Sequence, residues 1–122
     1  MEDAYVDVCE RPIRVGDYVS YATMIGHSAR LRFGVVTRLA ERSHRWNGKS
    51  VPTLRVIAAD WQQYSRPSGT WSTGWAPLKN GGEVTLGELE RVVVLGRSNM
   101  PRALLEVLDA ALAKFRASVV KK

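Results

Sequence analysis

All four tryptophans of the chain, Trp46, Trp61, Trp71 and Trp75, fall within one stretch. From Arg42 to Lys79 that stretch also holds six basic residues, one tyrosine (Tyr64) and a single acid, Asp60. Flat rings interleaved with cations suit a surface that grips phosphates and stacks bases. Stacking one base on an exposed ring is worth about 1–3 kcal/mol, and Lys and Arg add a salt-sensitive phosphate contribution. The residues expected to hold phosphates are Arg30, Arg32, Arg38, Arg42, Arg45, Lys49 and Arg66. Trp46 and Trp71 are the expected stacking rings, with Tyr64 beside them.

Two other uses of the same rings stay open. Large aromatics commonly fill a core or clamp a loop, and Trp61 and Trp75, which bracket a polar segment, are the expected framework members. An aromatic cage for a cationic group could form if Tyr18, Tyr21, Trp46 and Trp61 converge with Asp60. The nucleic-acid reading needs the loops carrying Trp46 and Trp71 to face the same side.

Reaction chemistry finds little support. His27 and His44 are the only histidines, and no H-E-x-x-H, C-x-x-C or paired-carboxylate spacing is present. Asn47-Gly48-Lys49-Ser50 ends like a phosphate loop but lacks its upstream glycine, so it reads as a turn. Cys9 is the single cysteine, which allows no intramolecular disulfide and no Cys-based metal site. The expectation is a non-enzymatic binding module with no metal and no cofactor.

The net charge of +6 is unevenly placed: −4 over residues 1–10, +8 over 11–82 and +2 over 83–122. The basic character therefore belongs to the centre of the chain, and it fits a phosphate-rich partner. At 122 residues, 45% hydrophobic and 25% charged, a single globular domain is expected. The acidic start lacks the basic region of a signal peptide. No apolar run approaches the roughly 20 residues of a membrane span, so a cytoplasmic protein with no membrane partner is expected.

The elements that must position these residues are mostly strands. Residues 17–25, 30–39, 51–59 and 91–95 carry strand character, and 83–86 forms a short piece. In the second of these, Leu31, Phe33, Val35 and Thr37 alternate with Arg30, Arg32, Gly34 and Val36, which gives one apolar face. Gly34 inside that strand suggests a bulge or bend. Gly26-His27-Ser28, Asn47-Gly48 and Asn80-Gly81-Gly82 read as breaks, and residues 61–75 as a polar loop that two short strand pieces could flank as a long hairpin. From Asn99 to Phe115 the apolar residues Leu104, Leu108, Ala111, Leu112 and Phe115 recur at helical spacing, with Ser98 or Asn99 as cap and Pro101 in the first turn. That stripe could pack on the strands or on a second copy in a homodimer.

Val15-Gly16-Asp17-Tyr18-Val19, Gly34-Val35-Val36, and Leu86-Gly87-Glu88-Leu89-Glu90 followed by Arg91-Val92-Val93-Val94 resemble the opening strands, helical turn and final strand of an SH3-like small β-barrel, with an opening similar to KOW and Tudor-like domains. The resemblance covers residues 13–96. It implies a mainly β protein, a single barrel of five or six strands, preceded by an extension over 1–12 and followed by one helix over 99–117. It carries over no family function. The alternative function is a protein-interaction module, such as a small bacterial or phage accessory protein that docks on a larger host complex, since exposed Trp and Arg are favoured at interface centres.

Overall fold

The computed structural model describes residues 5–25, 27–43, 46–87 and 89–120. The expected break residue Gly26, the loop residues His44 and Arg45, and Glu88 of the expected helical turn lie outside that set. The chain is mainly β: six antiparallel strands and one C-terminal helix. The strands are β1 (Tyr18–Ile25), β2 (Ser28–Ser43), β3 (Ser50–Ser65), β4 (Trp71–Pro77), β5 (Glu83–Leu86) and β6 (Val92–Leu95), followed by α1 (Arg102–Val120). Short 3-10 turns lie at Leu78–Gly81, Leu89–Arg91 and Arg97–Asn99. Among the described residues no helix is long and apolar enough to cross a membrane.

The sheet runs in the order β4-β3-β2-β1-β6, and β5 also pairs with β3. The long strand β3 is shared along one edge: its first half pairs with β5 (Leu54↔Leu86) and its second half with β4 (Trp61↔Trp75). The 3-10 turn before the last strand is where the small-barrel resemblance places it. Among the described residues, though, no ladder joins β5 to β6. The observed pairing is therefore a sheet with two ends.

Both faces of the sheet are covered over its middle. The inner face buries Val19, Tyr21, Val36, Leu54, Val56, Ala58, Leu86 and Val92 with Tyr5 and Ile13 of the N-terminal segment. The opposite, helix face buries Val35, Ile57 and Ala59 beneath Leu104, Leu108 and Ala111 of α1. The helical stripe read from the sequence thus packs on its own sheet. Residues 56–60 of β3 are buried without interruption, which is why Val56, Ile57, Ala58 and Ala59 are apolar at successive positions rather than alternating.

Several local expectations need correction. The long hairpin expected over residues 61–75 forms, but with far less loop: β3 extends to Ser65, a tight turn returns through Gly69, and β4 begins at Trp71. The Trp71, Thr73, Trp75 alternation was the strand signal there, masked by Ser, Gly and Thr. The bulge lies between Val36 and Arg38, not at Gly34. Gly34 instead lets two backbones approach: a Cβ there would sit 3.1 Å from the Ile57 carbonyl oxygen and 3.2 Å from Val56 Cβ. Ser98 and Asn99 belong to the 3-10 turn, so α1 starts at Arg102 rather than at a cap on either.

The acidic N-terminal stretch, expected as an extension, is tied to the sheet edge from Tyr5 onward. Asp7 is buried, and its carboxylate accepts from the N–H groups of Cys9 (2.8 Å), Arg11 (2.9 Å) and Val94 (2.8 Å). Burial alone would raise the carboxyl's pKa, but those three donors and the Arg11 charge outweigh it and hold Asp7 below the usual carboxylate value. The Val8 N–H donates to the Val92 carbonyl at 2.9 Å. Together these bonds occupy the outer edge of β6.

Candidate functional site

Strand geometry separates what the sequence interleaves. Successive side chains on a strand point to opposite faces, so Arg30 and Arg32 project on the inner side while Leu31 and Phe33 project on the helix side. Across the ladder the same alternation puts Asp60 on the inner side and Trp61 on the helix side. The rings and the cations of this end of the sheet therefore lie on opposite faces.

On the inner side, Asp60 is 2% exposed and gathers the two arginines: Arg32 Nε lies 3.3 Å and Arg30 Nη1 3.7 Å from its Oδ2. The Tyr21 hydroxyl is buried near the Arg32 guanidinium without a hydrogen bond, and Asp60 Oδ1 likewise has none. Burial pushes the Tyr21 phenol above its ordinary 10.0, against the opposing pull of the Arg32 charge. Further along β2, Arg38 Nη2 pairs with Glu83 Oε1 at 3.4 Å. Three of the arginines expected to grip phosphates are thus engaged within the chain.

The remaining expected site residues divide between the two ends of β3. At its Ser50 end, in the β2–β3 hairpin, Trp46 is 84% exposed, with Lys49 and Arg42 also exposed. Arg42 lies beside Gly87 in a cleft of ≈ 370 Å³ that Arg91 also lines. Arg45, expected in the same hairpin, lies outside the described residues. At the Ser65 end, Arg66 is exposed in the β3–β4 turn, and Trp71, at the start of β4, is 71% exposed. Tyr64 pairs through its backbone with Ser72; its side chain lies outside the description. The 16 residues of β3 span roughly 50 Å if straight, at about 3.3 Å each. The loops carrying Trp46 and Trp71 thus lie at opposite ends of β3. The rings proposed for a cage are dispersed too, since Tyr21 is inner, Trp61 is on the helix face and Trp46 is at a hairpin tip.

What the fold does assemble is apolar. On the helix face, beyond the N-terminal end of α1, Ala22 opposes Leu31 and Trp61 opposes Trp75. Leu31 is 57%, Trp61 56% and Met24 60% exposed. The rings are ordered: the Trp75 centroid lies 5.5 Å from that of Phe33 and 5.4 Å from that of Trp61, both edge-on, an arrangement worth about 0.5–1.5 kcal/mol per pair beyond burial. Trp75, expected in the core, packs half-buried against the cluster under α1; Trp61, expected there too, stays more than half exposed. Sequence reading found the alternation of Leu31 and Phe33 and the single apolar face that it gives. The signal it lacked was where the helix ends.

The limit of that cover is fixed by a polar lock. Tyr18 on β1 donates to Asp109 Oδ1 of α1 at 2.5 Å, and Arg97 reaches both carboxylate oxygens, at 3.3 and 3.0 Å. Arg97 also donates to the Tyr18 hydroxyl and stands 5.1 Å from its ring centroid. The hydrogen bond from Arg97, with that from Tyr18, holds the Asp109 carboxyl below its ordinary range, and burial with the Asp109 contact raises the Tyr18 phenol. Comparison with known proteins returns no matching family model, no matching curated protein and no matching solved structure.

Proposed function

We propose that the chain is a non-enzymatic module that docks on another protein through the uncovered part of its helix face. One observation carries this reading: Met24, Leu31 and Trp61 are each more than half exposed, on three neighbouring strands and on one face. Isolated exposed apolar side chains are ordinary, but a contiguous set on a rigid sheet is the usual mark of an interaction surface. Trp and Met are favoured at the centres of such surfaces and charged groups are depleted there. The cations nearest in sequence, Arg30 and Arg32, point to the other face and bind Asp60, so the patch offers rings without phosphate ligands. A small accessory subunit of a larger assembly would use such a face.

The test is capture from a nuclease-treated lysate of the source cells, run side by side with wild type, Trp61→Ala and Leu31→Ser. A partner retained by wild type and lost by both variants supports the reading. A partner bound equally by all three, or lost on nuclease treatment, removes it.

Nucleic acid stays as a second reading on a different surface. Trp46, with Lys49 and Arg42 at the same end of the sheet, keeps an exposed ring near exposed cations. Titration with labelled single-stranded DNA and RNA at low ionic strength decides it: binding must fall steeply with salt and with Trp46→Ala. Binding that ignores either one rules this reading out.

A further inference from the structure

The two ends of the sheet are treated differently. The outer edge of β6 is occupied by the chain's own N-terminal segment, through Val8, Asp7 and Arg11. β4 is the other end of the strand order, and among the described residues nothing pairs with its outer edge. Open edges in natural sheets are ordinarily blunted by inward charges, lysines, bulges or proline within the strand. β4 reads Trp-Ser-Thr-Gly-Trp-Ala-Pro, with no charge and proline only at its last position. Its register with β3 is unbroken over seven pairs. Alternate residues of this strand direct N–H and C=O groups outward.

We propose that the β4 edge accepts an extended peptide of another protein as an added strand, apolar at alternate positions and acidic at its ends. The inference rests on the reading of the chain as a protein-docking module and names the kind of partner that module takes. An added strand would place its helix-face side chains beside Trp71, Thr73 and Trp75 and so continue the exposed apolar face. Strand addition of this type draws affinity from the backbone and specificity from alternate side chains.

The charge of the partner follows from what flanks the edge. Between Gln62 and Gly82 the only charged residues are Arg66 and Lys79, one at either end of β4. Past Pro77 the edge runs on to an apolar cleft of ≈ 420 Å³ formed by Val107, Ala110 and Ala111 of α1 with Pro77 and Gly81, and Lys114 stands at it. Both acids of α1 are engaged within the chain: Glu106 pairs with Arg102 at 3.4 Å, and Asp109 is held by Tyr18 and Arg97. A second copy of the chain fits poorly: antiparallel pairing of two β4 edges would bring Arg66 of each towards Lys79 of the other, a like-charge approach in a chain already at +6.

The experiment is selection of a random displayed peptide library on the intact chain, followed by amide hydrogen exchange of β4 with a synthetic selected peptide. The expected result is enrichment of sequences with alternating β-branched or aromatic residues and Asp or Glu flanks. Outward β4 amides should then slow by at least about ten-fold in exchange, and Arg66→Glu with Lys79→Glu should weaken binding by about ten-fold. Peptides that bind and perturb the Trp61 indole without slowing β4 amides would leave face docking intact and overturn strand addition. Selected peptides that lack acids, or bind the double variant equally well, overturn the acidic class. No enrichment overturns strand addition, while the lysate capture judges the docking reading separately. β4 protection that depends on protein concentration alone, with dimers in sedimentation, makes a second copy the occupant and overturns the peptide proposal.

Discussion

Trp61 and Trp75 face each other across the β3–β4 ladder with ring centroids 5.4 Å apart and planes nearly perpendicular, yet they live in different surroundings. Trp75 leans on Phe33 and the Leu104 region of α1, whereas Trp61 is open to solvent on its far side. Removing Trp75 vacates packed volume, so Trp75→Ala should cost about 3–5 kcal/mol. Trp61→Ala loses one edge contact and partial burial, about 1 kcal/mol or less. Urea unfolding of the two variants separates them. Equal losses would mean that Trp61 is framework, which would remove the main support for the docking face.

Gly34 gives a backbone prediction. An alanine Cβ there meets the Ile57 carbonyl and Val56 Cβ inside normal packing distance, with strands on both sides. Neither neighbour can swing away as a surface side chain could, since both lie in the middle of β3. Gly34→Ala should therefore destabilise by about 1–3 kcal/mol, although alanine is usually the better strand residue of the two. Thermal denaturation measures it, and an unchanged midpoint would mean the strands separate there at little cost.

The strands were legible where residue types and punctuation agreed: β2 from its period-two alternation, β1 from its aromatic and β-branched residues, β6 from its apolar run, β5 as a short piece after a turn, and α1 from its stripe at helical spacing. The far half of β3 and all of β4 were less so. There the sheet runs past its cover, Ser, Thr and Gln replace the aliphatics, and local composition resembles a loop. The segregation of rings from cations was hidden for a related reason. Proximity in sequence along a strand is anti-correlated with sharing a face, so Arg30, Leu31, Arg32 and Phe33 look interleaved and end up segregated. The partner of Arg32, Asp60, lies 28 positions away and could be found only from the register.

Asp60 is the sole acid of the tryptophan-rich stretch and sits almost fully buried against Arg32. Its removal leaves a guanidinium that is itself largely withdrawn from water. Breaking a buried pair from one side costs about 3–5 kcal/mol when both groups are enclosed. Arg32 keeps some exposure and Arg30 more, so Asp60→Ala should cost about 2–3 kcal/mol. Arg30→Ala, at the exposed partner, should cost less than about 1 kcal/mol. Chemical denaturation of both variants checks the ranking, and a reversed order would place the anchoring contact at Arg30.

Asp7 links pH to the cover of the β6 edge. Its carboxyl is held below the ordinary 3.8 in the folded chain, as is that of Asp109 in the Tyr18–Arg97 lock. A depressed folded value means the folded state binds the proton less readily than the unfolded one. The stabilisation is then fully present above about pH 4 and is lost as pH falls through the folded values below that. Acid should loosen the N-terminal segment and α1 while leaving the β2–β3 ladder paired. Asp7→Asn keeps the shape but turns an amide donor toward one of the three N–H groups, which should cost about 2–3 kcal/mol at neutral pH and flatten the stability profile below about pH 4. Unfolding midpoints of wild type and Asp7→Asn across that range decide the point. A variant that keeps the wild-type slope would assign the acid sensitivity to Asp109, whose own Asp109→Asn variant should then abolish it.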